Sequence, residues 1–160
     1  MGDADLRLVA LDIHKTYVMV GAVAPDQTVV LRPRQVLLAQ FKAWAQRHLR
    51  PTDQVVLEAT TNTWDLYDLL TPLVARVVVA DPAKTKAKIA APVKTDTRDT
   101  IEMAKLLASN SVPAVWVPPP HVRALRAPLA HRQRLVRQRT AAKREAASCP
   151  ASAQSGAAGW

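Results

Sequence analysis

The chain has one cysteine, Cys149, and only four glycines, which lie at positions 2, 21, 156 and 159. A single cysteine excludes an internal disulfide framework and is typical of a reducing compartment. With so few glycines there is no glycine-rich phosphate loop, which argues against a P-loop or dinucleotide site. No apolar run approaches the roughly 18 residues that cross a bilayer, and the acidic start Gly2-Asp3-Ala4-Asp5 is unlike a secretory signal. These absences predict a cytoplasmic protein with no membrane span.

Positive charge is concentrated near the C-terminus. The net charge is +9, and residues 1–120 carry 14 Lys/Arg against 12 Asp/Glu, whereas residues 121–160 carry 8 against one acid, Glu145. A cationic segment of this kind favours a polyanionic partner. The alternative is a solvated, arginine-rich helix without such a partner.

Hydrophobic periodicity predicts an α/β domain. Strands are predicted over residues 6–14, 17–23, 28–36 (ended or kinked near Pro33), 54–59 and 76–80, and helices over 37–49, 63–74 and 96–110. The short interval at 14–16 predicts an antiparallel hairpin, and the strand–helix–strand order of residues 54–80 predicts parallel pairing. The order β-β-β-α-β-α-β-α is that of the ribonuclease-H-like fold, a mixed sheet with flanking helices.

Composition divides the chain into four segments. Residues 1–112 form the globular domain, and the prolines of residues 113–120 make a stiff connector. Residues 121–145 form a basic helix near coiled-coil spacing, with a possible kink at Pro128. Residues 146–160 are rich in Ala, Ser and Gly and are predicted to be disordered.

Four carboxylates fall where a core would favour apolar side chains. Asp12 interrupts a strand-like run, Glu58 ends a buried strand, and Asp96 and Asp99 begin a helix whose inward face continues through Met103. A buried carboxylate costs several kcal/mol unless it is paired or binds a metal. Carboxylates that converge repel one another until a divalent cation neutralises them. The set therefore predicts a hard-cation site for phosphodiester chemistry.

Competing interpretations of these acids are structural. Asp12 can begin a turn, Glu58 can lie at a solvated strand end, and Asp99-Thr100-Ile101-Glu102 matches a capping box with Asp99 as N-cap. As a set, the four acids suit two Mg²⁺ ions about 4 Å apart, since Mg²⁺ prefers hard oxygen ligands. No cluster of Cys and His indicates zinc.

Several cations accompany the acids. Lys84, Lys86 and Lys88 alternate and would form a one-sided basic surface in an extended segment, although an ordinary charged loop fits equally well. His14 and Lys15 flank the first acid, where they can contact phosphate or orient water; a solvent-facing turn is the competing role for Lys15. The predicted nucleic-acid-binding residues are Lys15, Lys84, Lys86, Lys88, Lys94, Arg132, Arg134, Arg137 and Arg139.

Three motifs carry a family resemblance: Ala10-Leu11-Asp12-Ile13-His14-Lys15, Leu57-Glu58-Ala59-Thr60, and Lys94-Thr95-Asp96-Thr97-Arg98-Asp99. In order and spacing they resemble the DEDD-type insertion-sequence transposases related to the Piv DNA invertase, and the resemblance extends to about Arg144. It implies a RuvC-like domain for DNA transposition in which Asp12, Glu58, Asp96 and Asp99 are catalytic and bind Mg²⁺. It also implies a DNA partner, a guide (bridge) RNA in some members, and a homo-oligomer in the intact family.

The resemblance leaves more than one function open. Family members continue into a domain with a nucleophilic serine, so we expect a truncated or frameshifted member whose foreign-frame sequence begins near Glu145. The first function is metal-dependent phosphodiester cleavage and strand transfer. The second is a catalytically inactive binding module that holds DNA or RNA through residues 121–144. A third function, that of half of an actin-like ATPase, is disfavoured because the sequence lacks the glycine-rich phosphate turns of such proteins.

Overall fold

A computed structural model describes residues 5–60, 63–89 and 95–148 of the chain. The strands are β1 (Leu8–Ile13), β2 (Tyr17–Val23), β3 (Val29–Leu37), β4 (Gln54–Glu58) and β5 (Arg76–Ala80). The helices are α1 (Leu38–His48), α2 (Thr63–Leu70), α3 (Pro82–Lys88), α4 (Asp96–Ala108) and α5 (Pro120–Ser148).

The strands form one mixed sheet in the order β3-β2-β1-β4-β5. β1, β2 and β3 pair antiparallel, whereas β4 is parallel to both β1 and β5. β4 is covered on both faces, which explains why its sequence is a continuous apolar run and not an alternating one. Sheet order, strand directions and flanking helices confirm the predicted ribonuclease-H-like α/β fold.

Each face of the sheet is covered by a helix. Leu8 and Ala10 of β1 lie on the face that packs against Met103, Ala104 and Leu107 of α4. The intervening residue Val9 is buried on the opposite face, where it lines a small cavity with Trp44 of α1. Because side chains alternate along a strand, Asp12 shares the face of Leu8 and Ala10, as the sequence predicts.

The structure decides between alternatives for two predicted elements. β3 does not end at Pro33 but continues to Leu37, and its pairing with β2 is irregular between Leu31 and Arg34, which fits the alternative of a local distortion at this proline. The proline is tolerated because β3 is an edge strand. The segment of alternating lysines is not extended but forms helix α3. Asp81 caps α3 by accepting hydrogen bonds from the backbone N–H groups of Ala83 and Lys84, and Pro82 occupies the first turn.

The chain forms two compact units, residues 1–116 and 117–160. The first residues of the predicted connector belong to the sheet edge, since Val115 N–H donates to the Val79 carbonyl and Ala114 bridges to Ala80. In the second unit, α5 runs through Pro128 and extends slightly beyond the predicted 121–145 at both ends, so three residues of the predicted disordered tail are helical. The rest of that tail lies outside the described residues. Within the described part of the chain, no helix is both long and apolar enough to cross a membrane.

Candidate active site

The carboxyl ends of β1 and β4 place two acids side by side. Leu11 of β1 pairs with Leu57 of the parallel strand β4. One residue further along each strand lie Asp12 and Glu58, so the same register brings these side chains to one face and one edge of the sheet. Ligand sites of open α/β sheets form outside the carboxyl ends of parallel strands, which is where these two acids lie.

The start of α4 supplies the other two acids. Thr95 is the N-cap, and its hydroxyl accepts a hydrogen bond from Arg98 N–H at 3.3 Å. Asp96 is therefore the first helical residue, and Asp99 lies almost one turn later, inside the helix. The capping-box interpretation with Asp99 as N-cap is thus wrong, because Thr95 caps the helix one turn earlier and leaves the Asp99 carboxylate to face the sheet edge.

All four acids line one cleft of about 260 Å³. Asp12 and Asp96 differ in burial, with side chains that are 24% and 50% exposed, while Glu58 and Asp99 are half-buried. The expectation that Asp96 faces away from water is therefore wrong, since this first helical residue lies at the rim of the cleft. The remaining lining residues are His14, Pro82, Lys86, Ile89 and Met103.

His14 lies between two of the carboxylates. Its Nε2 is 3.1 Å from Asp12 Oδ2 and 3.5 Å from Asp96 Oδ2, and the three ligand atoms lie within 4.8 Å of one another. The Tyr17 ring stacks on the imidazole, with ring centroids 4.3 Å apart, and the Tyr17 hydroxyl donates to Asp96 Oδ2 at 3.1 Å. The β1–β2 hairpin thus orients the imidazole and one carboxylate together.

Burial and the clustered charges together raise two pKa values. Burial raises the pKa of Asp12 above its ordinary 3.8, and the negative charges of Asp96 and Asp99 act in the same direction, while His14 opposes them. Desolvation and the hydrogen bond to Asp96 raise the pKa of Tyr17 above 10.0. At neutral pH the Tyr17 phenol is therefore protonated and donates to Asp96.

Of the predicted lysines, Lys86 lines the cleft. Lys84 and Lys88 are four residues apart and lie about 40° from each other around α3, whereas Lys86 faces another direction. Lys84 Nζ is 3.9 Å from Asp81 Oδ2, and Lys88 Nζ donates to the Ser111 carbonyl at 2.7 Å. The predicted one-sided lysine surface is therefore wrong, because a helix divides alternating residues between two faces.

The other predicted nucleic-acid contacts are dispersed. Lys15 is exposed in the turn between β1 and β2, and Lys94 lies outside the described residues. Helical spacing puts Arg132 and Arg139 on one face of α5, with Arg134 and Arg137 on another. All four arginine side chains are exposed.

Two residues that sequence reasoning missed support the domain around the site. Thr63 is fully buried, and its hydroxyl donates to the Glu58 carbonyl at 3.0 Å, which holds the turn after β4. Asp53 is also fully buried, at the opposite end of β4, where Arg7 Nε donates to Asp53 Oδ1 at 2.9 Å and Arg50 N–H donates to Oδ2 at 2.8 Å. The most buried acid among the described residues is thus structural and lies outside the cleft.

A ribonuclease-H-like sheet with carboxylates at the ends of its central parallel strands and at the start of α4 defines an α/β domain with an acidic cleft. The family model that matches the chain is described as a transposase, of the DEDD IS110 type, and it covers residues 9–149 of the 160. The chain belongs to this transposase family, and the resemblance recognised from its three motifs is confirmed. Comparison with curated proteins finds no match.

Proposed function

We propose that this chain carries the metal-dependent centre of a DNA transposase, which cleaves phosphodiester bonds and transfers strands in DNA transposition. The single observation that carries the proposal is that Asp12, Glu58, Asp96 and Asp99, from β1, β4 and α4, line the same cleft. Family membership independently supports a role in DNA transposition. Acids with purely structural roles are not expected to cluster at the carboxyl ends of parallel strands, where ligand sites form.

The donor set of the cleft fits Mg²⁺. Carboxylate oxygens are the hard ligands that Mg²⁺ prefers, and the exposed rim at Asp96 leaves access for the waters that Mg²⁺ retains. Four carboxylates in one cleft also need neutralisation: burial raises the pKa of Asp12, and the negative charges of Asp96 and Asp99 add to this effect. When two such ions are bound, they supply charge stabilisation for the attacking and leaving oxygens of a phosphodiester.

The residues of the chain have distinct roles in this proposal. Asp12 and Glu58 are held on rigid strands, and α4 brings Asp96 and Asp99 over them, which fixes the donor atoms before substrate arrives. Lys86 enters the same cleft with the opposite charge and binds a non-bridging oxygen of the phosphate. Lys15 and Lys94 bind the flanking backbone.

The exposed arginines of α5 provide a further phosphate-binding surface. Phosphate contacts position a nucleic acid without reading its sequence, so Arg132, Arg134, Arg137 and Arg139 suit DNA and would equally bind the backbone of a guide RNA. The exposed apolar residues Leu125 and Leu129 of the same helix, at coiled-coil spacing, support self-association of α5 into the family's homo-oligomer.

A plasmid-nicking assay tests the catalytic proposal. Supercoiled plasmid is incubated with the chain in Mg²⁺ or EDTA, and relaxation is measured for the wild type, Asp12→Asn and Asp99→Asn. Because each substitution removes a proposed ligand, we expect the Mg²⁺-dependent rate to fall by about 100-fold or more. The matched control is Asp65→Asn, which changes an exposed acid of α2 outside the cleft and should keep the wild-type rate.

The same assay separates catalysis from binding alone. Unchanged Mg²⁺-dependent nicking by Asp12→Asn would contradict the catalytic assignment. The exposed basic helix α5 favours a binding module as the second candidate function. That function holds if the wild type does not nick DNA yet binds it with a steep salt dependence that the substitution of Asp12 leaves unchanged.

A further inference from the structure

His14 has no part in the metal-binding set implied by the family, yet its imidazole lies between two of those acids, close enough for the three side chains to share one metal ion. It lies two residues beyond Asp12, just after the end of β1, and its side chain is only 29% exposed. Its Nε2 contacts Asp12 Oδ2 and Asp96 Oδ2 at 3.1 and 3.5 Å. We propose that His14 Nε2 is itself a metal ligand in this cleft, so that the site prefers a first-row transition ion over Mg²⁺. This inference rests on the proposed function and specifies the cation of that site.

The spacing of the three atoms fits one coordination sphere. Octahedral ligands about 2.1 Å from an ion lie about 3 Å apart when adjacent and about 4.2 Å apart when opposite. The distances from His14 Nε2 to the two carboxylates fall near the adjacent value, and all three ligand atoms lie within 4.8 Å of one another. Small side-chain movements therefore suffice to convert this contact group into a chelating group.

The surroundings of the imidazole keep it in place for this role. The Tyr17 ring stacks on it at an interplanar angle of 22°, which fixes the ring plane, while the Tyr17 hydroxyl holds Asp96. Contacts that fix the orientation of a ligand side chain favour metal binding, because the donor atom is already in place. Tyr17 is a positioning residue in this scheme, since it contacts two ligands and not the ion.

An imidazole nitrogen changes which cations the cleft favours. Mg²⁺ binds hard oxygen donors, whereas first-row transition ions also bind imidazole, with affinities that rise from Mn²⁺ towards Cu²⁺. The carboxylates of the cleft and water supply the oxygen ligands in either case. The added nitrogen therefore selects for the transition ion without excluding Mg²⁺.

Direct binding of Mn²⁺ and Mg²⁺ to the nucleic-acid-free chain provides the test. Isothermal titration gives both dissociation constants for the wild type and His14→Gln, which retains a hydrogen-bond donor near Asp12 but loses the imidazole. We expect the substitution to weaken Mn²⁺ by about tenfold or more and Mg²⁺ by less than about threefold. Pulsed electron paramagnetic resonance of bound Mn²⁺ should show coupling to an imidazole nitrogen in the wild type and none in the variant. His131→Gln, on the exposed surface of α5, is the matched control and should keep both affinities and the coupling.

The outcomes distinguish this inference from the proposed function. Equal weakening of both ions, or bound Mn²⁺ without nitrogen coupling in the wild type, would overturn the role of His14 while leaving the carboxylate site intact. If Asp12→Asn leaves both affinities unchanged, the ions do not bind at the proposed carboxylate site. If neither ion binds the wild type, the metal-dependent function fails and the inference fails with it.

Discussion

Replacement of Asp12 by asparagine is expected to stabilise the metal-free protein while it removes most of the stabilisation by Mg²⁺. Asp12 lies among Asp96 and Asp99 in a partly buried position, and burial with these neighbouring charges raises its pKa. The carboxylate at position 12 is therefore unfavourable for folding in the absence of a cation. Asparagine has nearly the same shape but carries no charge, so it relieves the repulsion without leaving a cavity.

The magnitude follows from the separation of the charges. The ligand atoms of Asp12 and Asp96 are within 4.8 Å, where two unit charges repel by about 0.9 kcal/mol in water and about 3.5 kcal/mol at an effective dielectric constant of 20. Because the Asp96 side chain is 50% exposed, solvent screening favours the lower part of this range. Asparagine also weakens the hydrogen bond with His14, which costs about 1 kcal/mol. Repulsion of about 1–2 kcal/mol less this loss leaves about 0–1 kcal/mol, and the substitution also removes the desolvation of the buried carboxylate, which is the largest cause of its raised pKa. We therefore expect a net stabilisation of about 0.5–1.5 kcal/mol.

The effect should depend on pH in one direction. A carboxyl whose folded-state pKa is raised favours folding fully below its unfolded pKa, near 3.8, and loses that contribution as the pH rises through the folded value. Asparagine does not titrate at this position. The variant should therefore match the wild type in acid, gain on it in stability as the pH rises from 3.8 towards the folded pKa of Asp12, and keep its full advantage above that value.

Urea denaturation followed by circular dichroism measures both parts of this prediction. In EDTA, the free energy of unfolding is compared for the wild type and Asp12→Asn from about pH 4 to pH 8. In Mg²⁺ at 100 times its dissociation constant, the wild type should gain about 2.7 kcal/mol and the variant much less. A variant that is less stable than the wild type in EDTA at every pH, or that gains as much from Mg²⁺, would refute the reasoning.

Three further perturbations address other parts of the domain. Lys86→Ala should slow plasmid nicking by about tenfold, because it removes a positive charge that lines the cleft. The control Lys84→Ala, on another face of α3, should change the rate less than about twofold. Similar losses of rate in both variants would contradict the role of Lys86. Asp53→Ala leaves Arg7 without its buried partner and should lower the free energy of unfolding by about 3–5 kcal/mol in urea, with no change in Mg²⁺ affinity. Gly21→Ala places a methyl group 3.2 Å from side-chain atoms of α4, so it should lower the free energy of unfolding by about 1–3 kcal/mol. It should also weaken Mg²⁺ binding, because it displaces the helix that carries Asp96 and Asp99. Unchanged Mg²⁺ affinity would argue that the position of α4 does not control metal binding.

The meeting of the four acids was predictable because it depends on regular geometry. Parallel strands bring their carboxyl ends to one edge, which relates Asp12 to Glu58 without knowledge of any other contact. Helical phase then puts Asp96 and Asp99 on the face that continues through Met103. Helical phase predicts which side of the helix a residue is on but not how deeply its side chain is buried. For this reason the sequence did not predict that Asp96 is half exposed at the rim of the cleft.

The missed features depend on contacts between residues distant in the chain. The seven-residue helix α3 carries too few apolar residues to show a helical period, although Asp81-Pro82 is a start signal that would have indicated it. Asp53 is buried because Arg7, 46 residues earlier, reaches it. Sequence spacing contains no signal for such a pair, since either residue alone resembles an ordinary solvated charge.

The origin of the site from three elements has a consequence for local dynamics. α4 packs on β1 and β2, and it contributes two of the four acids from its first turns. Separation of α4 from the sheet would therefore divide the proposed cation site while β1 and β4 remain paired. A bound cation that bridges strands and helix opposes this opening, so it couples occupancy of the cleft to the local stability of α4. If the proposed site binds a cation, the ion would hold α4 against the sheet, and separation of α4 would release it before the sheet unfolds.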